Sequence, residues 1–150
     1  MVHGTAIAAG GEAVLLRGPS GCGKSDLALR VLGLTDRCFA GSSFALVADD
    51  QVVVRRSGGE LSVMPPPALE GLIEVRGLGI LPVAHLARAT LTLIVELSDR
   101  QNLDRLPDPW PFESLLGISL PLLRIAAFEA SAPLKLALAL SQKPWQRSSP

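Results

Sequence analysis

The chain has 150 residues, 48% of them apolar and 19% charged, which suits one packed domain and excludes a disordered chain. Lysine and arginine number 14, as do aspartate and glutamate, so the formal net charge is zero, and a fold that holds nucleic acid on a broad basic face is excluded. Two cysteines, Cys22 and Cys38, are too few for a disulfide framework, no run reaches the roughly 18 apolar residues of a membrane helix, and the N-terminus lacks a secretory pattern, so a reducing cytoplasm is the expected location.

Fourteen glycines and 12 prolines predict short elements and many turns. Thr5 to Ala9 and Ala13 to Leu16 read as strands joined by the tight turn Gly10-Gly11. The second strand runs into Gly18-Pro19-Ser20-Gly21-Cys22-Gly23-Lys24-Ser25. Leu27, Ala28, Val31 and Leu32 then recur at helical spacing, with Gly33 as a stop. Thr35 to Ser43 reads as a loop, and Phe44 to Ala48 as a short buried strand ending in Asp49-Asp50. A second hairpin is expected where Val52 to Val54 and Leu61 to Val63 flank Ser57-Gly58-Gly59.

Met64-Pro65-Pro66-Pro67 must end any ladder, and a short helix is expected around Ala68 to Leu72. Gly77, Gly79 and Pro82 break the next stretch. Ala89 to Leu97 is the longest strand, Asp104 to Phe112 a proline-rich loop, and Ser119 to Phe128 another strand. Ser131 to Ser141 reads as a terminal helix with Ser131 as N-cap and Pro133 in its first turn. One domain over residues 1–142 is expected, with 143–150 as a loose tail. Trp110 and Trp145 read as packing residues.

Gly18 to Ser25 fits G-x-x-x-x-G-K-[ST], a pattern met by chance in roughly one per cent of chains this long. Its glycines let successive backbone N–H groups turn inward around phosphate oxygens, and the following helix adds its N-terminal dipole. Lys24 can reach the β- and γ-phosphates, and the Ser25 hydroxyl can ligate Mg²⁺. ATP and Mg²⁺ are the expected ligands. Asp49 and Asp50 close the following strand, where an α/β sheet presents its ligand crevice. Adjacent strand residues point to opposite faces, so the two aspartates should do different work.

Further segments narrow the family. His3-Gly4 precedes the first hairpin, Leu46-Val47-Ala48-Asp49-Asp50-Gln51-Val52 follows the loop, and Ile73-Glu74-Val75-Arg76-Gly77-Leu78-Gly79-Ile80 comes next. With the phosphate loop, and in this order, they resemble the catalytic domain of HPr kinase/phosphorylase, over about residues 2 to 105. The chain looks like a single-domain form without the large N-terminal domain of longer members. The resemblance implies an α/β P-loop kinase fold similar to phosphoenolpyruvate carboxykinase, with a mixed sheet, hairpins and a C-terminal helix. It implies transfer of phosphate from ATP to a serine of HPr, the phosphocarrier of the sugar phosphotransferase system, reversal with inorganic phosphate, and a hexamer.

By the same resemblance Asp50 is the acid/base, Lys24 and Ser25 keep their phosphate and metal roles, and Glu74 is a second metal-linked acid. His3 lies near the transferred phosphate, Arg105 is the catalytic arginine, and Asp49 and Arg76 support the site. The relatives' P-V-R-P-G-R-N-like loop, linked to dephosphorylation, has only Pro121-Leu122-Leu123-Arg124-Ile125 near its place, so weak phosphorolysis is expected. Two rival functions fit the loop alone. A small-molecule kinase would want an arginine-rich lid, which the sequence lacks. A non-catalytic ATP sensor would not need Asp50.

Overall fold

The computed structural model describes residues 1–34 and 43–146. The loop expected from Thr35 to Ser43 lies outside them except for its last residue, as does Cys38. Nine strands form one curled mixed sheet: β1 (Val2–His3), β2 (Thr5–Ala9), β3 (Glu12–Arg17), β4 (Ala45–Ala48), β5 (Gln51–Ser57), β6 (Glu60–Met64), β9 (Ala89–Leu97), β10 (Phe112–Leu115) and β11 (Ile118–Ile125). A separate two-stranded hairpin consists of β7 (Leu72–Val75) and β8 (Gly79–Pro82). The helices are α1 (Lys24–Leu32) and α2 (Ala132–Gln142).

The sheet forks at β9. On one edge β9 runs parallel to β3, from Glu12↔Thr90 to Arg17↔Glu96. On the other, Ala89 and Thr90 pair antiparallel with β6, and Ile94 to Leu97 pair parallel with β11. This strand therefore needs apolar side chains on both faces, and Leu91, Leu93, Ile94 and Val95 are all buried. β2 lies between β3 and β4 and is buried along its whole length, which only small residues such as its three alanines allow.

Two cores result. Val14, Leu16, Leu93, Val95 and Ile125 face α1 and α2, which contribute Leu27, Val31, Leu136 and Leu140. Ala6, Leu15, Ile94 and Leu122 turn the other way, against Leu61 and Val63 of the β5–β6 hairpin. Parallel β3, β9 and β11 end on one side of the sheet, and the phosphate loop leaves β3 there.

Five expectations change. Pro67–Leu69 is one 3-10 turn, and Leu72 already belongs to β7. Gly77 and Gly79 do not merely break the chain; both take positive φ, Gly77 in the turn of the β7–β8 hairpin and Gly79 at the start of β8. The strand expected from Ser119 to Phe128 is present as β11 but stops at Ile125, and its residues Pro121 to Ile125 pair with β10 or β9. Ser131 stands at the start of α2, but its hydroxyl caps nothing; its carbonyl accepts the Lys135 N–H at 2.9 Å. Lys143 to Gln146 are not a loose tail: Pro144–Gln146 form a 3-10 turn, and Trp145 packs on Trp110 with ring centroids 6.0 Å apart. Both tryptophans are packing residues, as expected.

Candidate active site

The phosphate loop begins where β3 ends at Arg17. The Arg17 guanidinium grips the Glu113 carboxylate of β10 through two nitrogens, with Nη2 to Oε1 at 2.8 Å, and reaches Glu96 of β9 at 3.8 Å. The hydrogen bond from Arg17 holds the Glu113 carboxyl below its ordinary range, and Glu113 in turn raises the Arg17 guanidinium. The strand end that launches the loop is thus tied across the sheet.

Inside the loop, the Cys22 N–H donates to the Pro19 carbonyl at 3.1 Å, and α1 starts at Lys24 with Gly23 as its cap at φ 100°. A side chain at Gly23 would be strained: its φ is left-handed, and a Cβ there would stand 3.0 Å from Cζ of Phe128. Lys24 is buried, and its ammonium donates to the carbonyls of Gly18 at 2.7 Å and Pro19 at 3.1 Å. The ammonium lies back across the cradle and closes it from within.

Asp49 is the hub beneath the loop. Its Oδ1 accepts from the Ser25 hydroxyl at 2.7 Å and the Thr5 hydroxyl at 3.0 Å, and its Oδ2 accepts the Glu74 N–H at 3.0 Å. One buried carboxylate therefore joins α1, β2 and β7 at the end of β4. Such charge-assisted bonds are the strong class, and they leave no buried hydroxyl unpaired. The Ser25 hydroxyl gives its hydrogen to Asp49 and keeps its oxygen lone pairs for another ligand. The Glu74 carboxylate borders the same cleft. A hydroxyl and a carboxylate beside bound phosphates suit Mg²⁺, which shares its shell with water and phosphate oxygens. Among the described residues no three His, Cys, Asp or Glu side chains converge, and Mg²⁺ needs no such cage.

Asp50 differs from its neighbour in every respect. Its φ is 67°, and the Gln51 N–H bonds the Asp49 carbonyl at 2.8 Å around it, so it stands at the apex of a three-residue turn. Strand alternation does not separate the two aspartates, as the sequence suggests; the turn does. Asp50 is 64% exposed, and His3 Nδ1 lies 3.4 Å from its Oδ1. The histidine is not frayed. β1 pairs with β5 through Val2↔Val52 and His3↔Gln51, and the Gly4 N–H donates to the Asp50 carbonyl at 3.0 Å.

An open cleft of about 520 Å³ collects these groups: His3, Lys24, Ser25, Asp50, Glu74 and Arg76 all border it. Of the loop, Ser20, Gly21 and Gly23 also line it, while Gly18, Pro19 and Cys22 shape the cradle from behind. Arg105 is not brought in; it lies exposed between the 3-10 turn Arg100–Asn102 and β10, away from the cleft lining. Two residues escaped sequence reasoning. Thr5 is the one polar residue of a small apolar strand, which was a usable signal. Phe128 gave none, because its position depends on where β11 ends.

The chain is similar to known proteins in sequence and in fold. HPr kinase/phosphorylase of Bacillus cereus (strain B4264) and that of Bacillus anthracis (strain A0248) are each 37% identical over 116 residues, 70% of this chain and 35% of theirs. The match thus spans little more than a third of the curated relatives' length. The structure of the HPr(Ser) kinase/phosphatase from Coxiella burnetii superposes with a TM-score of 0.76 at 24% identity, covering 95% of this chain and 93% of that one, a likeness of fold. A family model described as the HPr Serine kinase C-terminal domain matches residues 1–136, and the chain belongs to that family.

Proposed function

We propose that this domain transfers the γ-phosphoryl group of ATP to a serine hydroxyl of an HPr-like phosphocarrier. The observation that carries the reading is the placement of an exposed, histidine-faced carboxylate, Asp50, on the same cleft as the phosphate loop. A site that only bound nucleotide would need the loop, Lys24 and Ser25 but no such base. The rival sensor reading leaves Asp50 and its turn without a purpose, and the small-molecule reading would want an arginine-rich lid, which the sequence lacks.

The chemistry follows from the residues. Backbone N–H groups of the loop and the N-terminus of α1 hold the phosphates. Lys24 exchanges its two loop carbonyls for phosphate oxygens and steadies charge that builds between the β- and γ-phosphates. Ser25 and Glu74 would hold Mg²⁺, which neutralises phosphate charge when bound. Asp50 takes the proton of the acceptor serine as its oxygen forms a bond to the γ-phosphorus and the bond to the ADP oxygen breaks. In reverse the protonated Asp50 returns that proton to the leaving serine oxygen. His3 orients the carboxylate, and Arg76 at the cleft margin adds positive charge near the transferring group. Residues 121–125 are strand where longer relatives have the loop linked to dephosphorylation, so weak phosphorolysis stays part of this reading.

The test is incubation with γ-labelled ATP, Mg²⁺ and HPr, alongside Asp50→Asn. Label on HPr serine that falls about 10³-fold in the variant, with ATP binding kept, is the expected result. Bound ATP without label in the wild type would transfer the reading to the sensor.

A further inference from the structure

We propose that Phe128 is the platform on which the base of the bound nucleotide stacks; the inference rests on the nucleotide reading above. Phe128 is 72% exposed, yet it borders the cleft rather than open surface. The cleft's apolar side chains are Leu29, Val75 and Phe128, and only Phe128 offers a planar ring. Its Cζ and Cε1 lie 3.0 and 3.1 Å from where a Cβ of Gly23 would stand, so the ring rests against the residue that precedes the phosphate-binding lysine.

The backbone beneath this exposed ring is held firmly. Arg30 of α1 donates through Nη1 to the Glu129 carbonyl at 3.3 Å and through Nη2 to the Ala127 carbonyl. Its Nε bonds Asp26 Oδ2 at 3.1 Å, which fixes the guanidinium. The Glu129 carboxylate is paired with Lys135 at 2.8 Å and with Arg100 at 3.5 Å. Both peptide carbonyls flanking Phe128 are therefore tied to the helix that carries Lys24 and Ser25. A ring preorganised in this way, beside an anion cradle and open on one side, matches a ligand with a charged phosphate chain and a flat apolar end. Arg30 is the positioning residue.

Calorimetric titration with ATP and with inorganic tripolyphosphate separates base from phosphate binding. Phe128→Ala should weaken ATP about tenfold and leave tripolyphosphate within about twofold. Phe128→Leu, which keeps apolar volume against Gly23, should behave like the alanine variant, and Phe128→Trp should bind ATP as the wild type does. Equal weakening of both ligands would overturn the proposal, because the ring would then only shape the loop. Unchanged ATP affinity in Phe128→Ala would overturn it too. A wild type that binds both ligands but labels no HPr would sink the kinase reading and leave a selective loss of ATP at Phe128 standing as support.

Discussion

At the scale of single residues, Asp49 and Asp50 show how neighbours of one type divide structure from chemistry. Asp49 is buried and satisfies three donors, so Asp49→Ala orphans the fully buried Thr5 hydroxyl, the Ser25 hydroxyl and the Glu74 N–H at once. Stability should fall by about 3 kcal/mol, read as a lower urea midpoint, and Mg²⁺-dependent ATP binding should weaken because Ser25 is no longer aimed. Asp50→Asn should change stability by less than about 0.5 kcal/mol, since asparagine tolerates positive φ and the His3 contact is exposed. It should nevertheless lower transfer about 10³-fold. A φ of 67° on a non-glycine residue is the kind of local strain that persists at working sites. The sequence showed that the two aspartates differ. It could not show which is buried, because that depends on Thr5 and Ser25 arriving from β2 and α1.

At the scale of elements, the phosphate loop and both glycine-marked hairpins were legible, since a turn of left-handed residues between apolar runs has few alternatives. The β7–β8 hairpin was not. Its turn, Arg76-Gly77-Leu78, carries an exposed leucine, and all of β8 is exposed, so no alternation marked it as strand. Its partner β7 nevertheless delivers Glu74 to the cleft, held through its own N–H by Asp49. Within the loop, Gly23 is doubly constrained by its φ of 100° and by the Phe128 ring. Gly23→Ala should cost about 1–2 kcal/mol in stability. It should also lower affinity for ATP and tripolyphosphate together, because the cradle itself is displaced. That common loss is the opposite of the split expected at Phe128, and titration of the same two ligands tells the sites apart.

At the scale of the whole molecule, β9 binds the halves together, and the charged row at its end locks the loop to the sheet. Arg17 of β3, Glu96 of β9 and Arg124 of β11 stand in register, and Glu113 of β10 completes the row by gripping Arg17. None of this was readable from a chain whose charges sum to zero, because these partners lie up to 96 positions apart in sequence. Arg17 holds the Glu113 carboxyl below its ordinary range, so the folded protein keeps it ionised where the unfolded chain would take up a proton. Its contribution is therefore fully present above the ordinary glutamate value of about 4.3 and is lost as pH falls through the lower folded value. Glu113→Gln should cost about 1 kcal/mol at pH 7, a figure kept small because the pair is partly exposed and screened. The difference from wild type, measured as urea midpoints, should shrink as pH falls below the ordinary glutamate value and vanish once Glu113 is protonated in the folded protein as well. A difference that stayed constant with pH would mean that Glu113 acts through packing rather than charge. Since Arg17 adjoins Gly18, acid should also loosen the cradle, and ATP affinity in the wild type should fall over the same pH range more steeply than in Glu113→Gln.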